Sequence, residues 1–177
     1  MRFGEDPPIP FTIPGHKQRN DLVGDVVAGD VPLYAGLDTM KLSRGVLAEA
    51  EGLAARLWGA DVCRFSVGGA THVNQALALA VAAGGETPGN GPVVISRTLH
   101  RSMLLGLVLA GLTPVWVLPE IDTSTGLPLG VRPDSVADAL RRYHEARAVF
   151  VGDPSYVGTV GDIRGLADTA HLSDVPL

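Results

Sequence analysis

Apolar and polar positions change period repeatedly along this 177-residue chain. In residues 43–58 the apolar side chains Val46, Leu47, Ala50, Leu53, Ala54, Leu57 and Trp58 recur at helical spacing. Ser43 stands where a cap belongs and Gly59 where the helix should stop, while Gly45 and Gly52 weaken the pattern. Beyond it, short apolar runs alternate with helix-like stretches. The runs at 62–67, 92–96, 114–118 and 148–151 predict strands, and 175–177 reads as the start of another. The stretches 74–83, 102–110, 134–145 and 162–171 predict helices, with Gly84, Gly111 and Pro133 as punctuation. Residues 1–20, rich in Pro and Gly, read as an extended arm.

Strands alternating with helices imply parallel βαβ units, with helices on both faces of the sheet. Ligands bind such sheets beyond the carboxyl ends of the strands. Polar residues gather at those positions: 68–74, 96–102, 119–122 and 152–156. On a parallel sheet all four sets line one rim.

Composition narrows the classes. Hydrophobic residues make up 46% of the chain, which suits a globular fold with a sizeable core. A formal net charge of −5 and the lack of a basic run weigh against a nucleic-acid surface. Cys63 is the only cysteine, so no internal disulfide forms, and its place in a predicted strand suggests core packing. The lack of an apolar run of membrane-spanning length, and of an apolar signal core at the N-terminus, makes a cytoplasmic protein the expectation. Twelve arginines stand against two lysines, Lys17 and Lys41, so lysine chemistry has two candidates.

The segment 66–75, Ser-Val-Gly-Gly-Ala-Thr-His-Val-Asn-Gln, carries the sharpest chemical signal. It joins a predicted strand to a predicted helix, where free backbone N–H groups and the helix dipole favour an anion. Thr71 and His72 add side-chain donors, and the backbone from Ala70 to Val73 adds N–H groups. An ordinary strand–helix turn remains the alternative. Without G-x-G-x-x-G or a Gly-Lys-Ser/Thr loop, a small phosphorylated cofactor fits better than a dinucleotide or nucleoside triphosphate. His100, just past a strand, suits stacking on a planar cofactor or acid–base work; a surface helix start is the alternative. His16, His72, His100, His144 and His171 show no paired metal-ligand spacing, and His144 and His171 sit near predicted helix ends as structural residues. No G-x-S-x-G elbow supports a serine hydrolase.

Five segments, in order, resemble the Orn/Lys/Arg decarboxylase family. Phe11–Lys17 (FTIPGHK) is similar to its "PGHK" segment. Gly36-Leu37-Asp38, Ala48-Glu49-Ala50-Glu51 and Trp58-Gly59-Ala60-Asp61 resemble its "LDxL…EAE…FGAD" stretch. The run from Val67 to Ala76 is similar to its "NGSTSGNQA" phosphate loop, Arg97–Ser102 to "RNxHKS", and Asp153–Gly158 to "SPTYDG".

The resemblance implies a pyridoxal-phosphate (PLP) decarboxylase acting on an ornithine-, lysine- or arginine-type amino acid. The fold it implies is the aspartate-aminotransferase fold: three α/β/α layers on a mainly parallel sheet, the fold type I large domain. Ala70, Thr71 and His72 would contact the cofactor phosphate, and His100 would stack on its ring. Asp153 or Ser155 would lie near the 3-hydroxyl side. His16 and Lys17 would lie near a substrate entrance at the interface of a homodimer or higher homo-oligomer, with no nucleic acid and no membrane involved. Measured against the family pattern, Ala70 removes a serine hydroxyl, His72 can compensate, and Arg101 for lysine is mild. Val73 replaces a glycine and would be strained at positive φ. Asp153 in place of serine adds negative charge.

The expected organisation is an arm over 1–25, then the first part of the PLP-binding large domain over 26–177. The sequence stops at Val175-Pro176-Leu177, ahead of the family's pyridine-pairing aspartate and Schiff-base lysine, and neither Lys17 nor Lys41 sits in that lysine's context. On this reading the 177 residues alone are inactive, and an uncovered strand edge makes them poorly soluble or oligomeric. A PLP lyase or aminotransferase of the same fold, and a non-catalytic remnant or dimerisation module, are the alternatives.

Overall fold

The computed structural model describes residues 19, 21, 24, 38, 39, 41–84 and 91–177. The chain forms two compact units, 1–65 and 66–177. His16 and Lys17 lie outside the described residues.

In the first unit, helix α1 (Val46–Trp58) follows the predicted periodicity and ends at Gly59 in the left-handed conformation, φ 64°. Its start differs from expectation. Gly45, not Ser43, holds the cap position and offers no side chain. The free N–H groups are taken from a distance by Asp38, whose Oδ1 accepts from Arg44 N–H (3.1 Å) and Gly45 N–H (2.8 Å) and whose Oδ2 accepts from Leu47 N–H (2.7 Å). A carboxylate here meets both the unpaired donors and the positive end of the helix dipole.

Desolvation pushes the Asp38 carboxyl up, but backbone N–H donors from Arg44, Gly45, Leu47 and Ala48 together outweigh it and hold it below the usual carboxylate range. A depressed folded pKa gives stability that is present above the unfolded value of about 3.9 and lost as pH falls through the folded one. Acidification should therefore destabilise this unit. The acid limb of urea midpoint against pH, followed by circular dichroism, should flatten in Asp38→Asn. An unchanged limb would remove Asp38 as its source.

The strand predicted at 62–67 does not form. Its backbone is irregular, and Val62, Phe65 and Val67 are exposed. A strand needs a neighbour to take its N–H and C=O groups, and among the described residues none lies beside it. The Phe65 N–H instead donates to Oε1 of Glu51 (3.2 Å). Arg64 Nη1 donates to Oε2 of the same carboxylate (2.8 Å), and Glu51 is only 3% exposed. This segment is thus tied back to α1 rather than to a sheet. Cys63, expected in a core, is half-buried.

The second unit is the predicted alternation. Strands β1 (Pro92–Ser96), β2 (Thr113–Val117) and β3 (Val149–Phe150) form a parallel sheet in the order β2-β1-β3. Helices α2 (Gly69–Ala83), α3 (Arg101–Ala110), α4 (Pro133–Arg142) and α5 (Ile163–His171) flank it. Central β1 is buried on both faces, which explains its unbroken apolar run. Val93 and Ile95 pack with Ala78, Ala82, Met103 and Leu107 of α2 and α3. Val94 packs on the other side with Val136, Leu140, Leu166 and Ala170 of α4 and α5. Three α/β/α layers result.

Local signals set most helix ends. Pro133 opens α4 with Asp134 in its first turn and Arg141 and Arg142 in its last. Asp162 caps α5 by accepting from Gly165 N–H (2.9 Å). Helix α4 stops three residues before the expected Glu145, because Tyr143 leaves helical geometry and the following turn carries Ala146 and Ala148 into the two cores.

The two edges of the sheet differ. Val149 N–H donates to Pro176 O (2.8 Å), so 175–177 runs along the outer side of β3, as a further strand would. On β2, Thr113 N–H donates to Gly91 O and Val117 O accepts from Arg97 N–H, so these positions face β1. The alternate position, Pro114, faces outward with no N–H to offer. Among the described residues no helix is long and apolar enough to cross a membrane.

Candidate functional site

The carboxyl ends of β1 and β3 and the start of α2 carry the predicted chemistry within the second unit. The turn into α2 is tighter than its sequence suggests. Ser66 Oγ accepts from Gly68 N–H (3.3 Å) and lies 3.0 Å from His72 Nδ1, so the turn closes over three residues and the helix starts at Gly69, not Asn74. A Cβ at position 68 would sit 2.5 Å from His72 Cβ, so glycine is what allows the imidazole to fold over Ser66. Ala70, Thr71 and His72 therefore occupy the first helical turn. The N–H groups of Ala70 and Thr71 precede the first intrahelical bond, and no side chain caps this end.

Val73 is an ordinary helical residue. Among the described residues the only non-glycine with positive φ is Asp174, so the expected strain at Val73 is absent. The expectation assumed a loop where the chain has already become helical.

His100 caps α3. Its Nδ1 accepts from Ser102 N–H (3.2 Å) and lies 2.8 Å from Ser102 Oγ. Ser102 is 1% exposed and receives a second bond from Asn74 Nδ2 (2.8 Å). Asn74 sits one turn into α2, so this bond ties the start of α2 to the start of α3. The His100 ring also faces Tyr156 from the loop after β3, with centroids 6.0 Å apart and planes 33° apart.

That loop is held by its own hydroxyls. Ser155 Oγ lies 2.6 Å from Thr159 Oγ1, which donates to Pro128 O (3.0 Å). Asp153, whose added charge stood out in the sequence, accepts from Gly161 N–H through Oδ1 (2.7 Å) and so closes the base of the loop. Ser155 and Tyr156 are placed at the same rim as His100; the cleft beneath is lined by Ser96, Thr98, Asp153 and Ser155.

The donor set fits a phosphorylated aromatic cofactor: an uncapped helix start with the Thr71 hydroxyl and His72 imidazole, beside a ring-bearing residue on the next helix. Sequence reading did not select Asn74, Ser102 or Tyr156. No local signal marked Ser102, because histidine is not among the preferred cap residues. The Asn74–Ser102 bond spans 28 positions and needed the fold.

The family model described as Orn/Lys/Arg decarboxylase, major domain, matches residues 1–177. The arginine decarboxylases of Bacillus subtilis and Bacillus cereus are each 30% identical to this chain over 178 aligned residues, covering 96% of it. The chain spans about a third of the length of these relatives, 35% and 38%. Among solved structures, the constitutive lysine decarboxylase of E. coli matches 98% of this chain and 26% of its own, with a TM-score of 0.74 at 20% identity. That likeness shows the α/β fold.

Proposed function

The chain belongs to the Orn/Lys/Arg decarboxylase family, and from that premise we propose that it forms the cofactor-phosphate side of a PLP-dependent decarboxylase for a basic amino acid, arginine being favoured by its relatives. The observation that carries the reading is the Asn74–Ser102 hydrogen bond, which sets the uncapped start of α2 beside the His100 ring. When bound, PLP supplies an electron sink for the charge left by loss of CO₂.

The chain's own residues bind and orient. The N–H groups of Ala70 and Thr71, the Thr71 hydroxyl and the His72 imidazole hold the phosphate at the positive end of α2. His100 covers one face of the ring and keeps water from it. Ser155 stands on the 3-hydroxyl side. His16 and Lys17 line the substrate entrance of a homodimer, and the protein works in the cytoplasm. The covalent cofactor lysine is assigned to neither Lys17 nor Lys41.

The intact protein, supplied with PLP, should release CO₂ from carboxyl-labelled arginine in preference to lysine or ornithine. Thr71→Val should weaken PLP binding about tenfold, the value of one hydrogen bond to a charged group. Release of CO₂ from none of the three amino acids, with PLP bound, would overturn the decarboxylase reading.

A further inference from the structure

We propose that Asn74 and Ser102 are positioning residues that hold the His100 imidazole in one tautomer, with its proton on Nε2. One hydrogen in this cluster cannot move. A backbone N–H is a donor in every state, and that of Ser102 points at His100 Nδ1 from 3.2 Å. Nδ1 must therefore present its lone pair. Ser102 Oγ lies 2.8 Å from the same nitrogen. Neither atom can be an acceptor toward the other without a hydrogen between them, so the hydroxyl hydrogen of Ser102 lies on this contact. The Ser102 oxygen then has lone pairs alone to offer Asn74, 2.8 Å away, and the amide must turn its NH₂ inward. Turning the amide over would set Asn74 Oδ1 against an oxygen whose hydrogen is already committed. Ser102 is 1% exposed, so solvent is poorly placed to relieve the mismatch.

Each member of the relay fixes the next: Asn74 donates to Ser102, Ser102 donates to His100, and the ring proton stays on Nε2. The free side of the imidazole always offers an N–H donor and never a bare lone pair. The relay stands on the hydrogen bonds alone. Its functional consequence, a fixed donor facing bound cofactor and substrate, rests on the PLP reading.

The test is nitrogen NMR of the intact protein, labelled with ¹⁵N-histidine, without cofactor and at alkaline pH. The His100 signals are assigned by their loss in His100→Gln. Nδ1 should resonate as an unprotonated ring nitrogen and Nε2 as a protonated one. Asn74→Asp puts an acceptor against Ser102 Oγ, draws the hydroxyl hydrogen away from the ring, and should move the tautomer ratio toward Nδ1–H by about tenfold, the value of one hydrogen bond. Ser102→Thr keeps the hydroxyl and should keep the wild-type ratio. A wild-type proton on Nδ1 would overturn the relay. So would a ratio unmoved by Asn74→Asp in a variant whose circular dichroism matches the parent. Because no cofactor is present, failure of the relay is separate from failure of the PLP reading, which shows in cofactor binding.

Discussion

His100→Ala in the intact protein is expected to bind PLP about tenfold more weakly and to unfold more readily, by about 1 kcal/mol. The two losses have different causes. A ring stacked on an aromatic partner contributes up to about 1.5 kcal/mol beyond its buried area, which sets the change in cofactor affinity. The same imidazole accepts from Ser102 N–H at the start of α3, and removing a cap of this kind costs about 1 kcal/mol. His100→Asn separates them. Asparagine is a strong cap residue but has no ring, so this variant should recover most of the stability and little of the cofactor affinity. Equilibrium dialysis against PLP and urea unfolding measure the two effects. Parent-like PLP affinity in His100→Ala would remove the stacking role and leave His100 as a cap.

Gly106→Val should cost the most stability, about 2–3 kcal/mol, at the upper end of what overpacking a well-filled site costs. Helices α2 and α3 meet at Gly106, where a Cβ would lie 3.1 Å from each of Ala78 Cβ, Asn74 O and Gln75 Cα. The last two are backbone atoms and cannot swing aside, so the helices must separate. The damage reaches the candidate site because the crowded backbone includes that of Asn74, whose side chain bonds Ser102. Gly106→Ala should be milder, within about 1 kcal/mol of the parent, since a helical alanine gains about what the tighter contact loses. Urea unfolding of the three proteins should rank them Gly, Ala, then Val well below. A valine variant as stable as the parent would remove this contact as a constraint on the two helices.

Much of the second unit was legible because its signals are local or doubled. The unbroken apolar run of β1 goes with burial on both faces. Pro133, Asp162 and Gly111 mark helix ends that the structure uses within a residue or so. The failures share a cause, since each depends on a partner distant in sequence or on a turn tighter than composition suggests. The apolar run at 62–67 looks like a strand, yet Phe65 N–H is claimed by Glu51, 14 positions earlier. Ser43 looked like the cap of α1, but Asp38 supplies it from outside the helix. The segment at 68–74 looked like a loop because glycines suggest one; a hydroxyl and an imidazole close the turn early and leave a helix. Within the site, the residue types at 71, 72 and 100 could be picked out singly. Their connection through Asn74 and Ser102 is a property of two helices packing together.

Pro114 leaves its mark on assembly. A parallel sheet adds strands at its edges much as a polymer adds monomers at its ends, and a residue with no outward N–H acts there as a brake. On the β2 side only the Trp116 N–H faces outward, so that edge is a poor template, while the β3 side already carries residues 175–177. Pro114 thus biases a crowded or partly unfolded population against recruiting a stray strand on the β2 side.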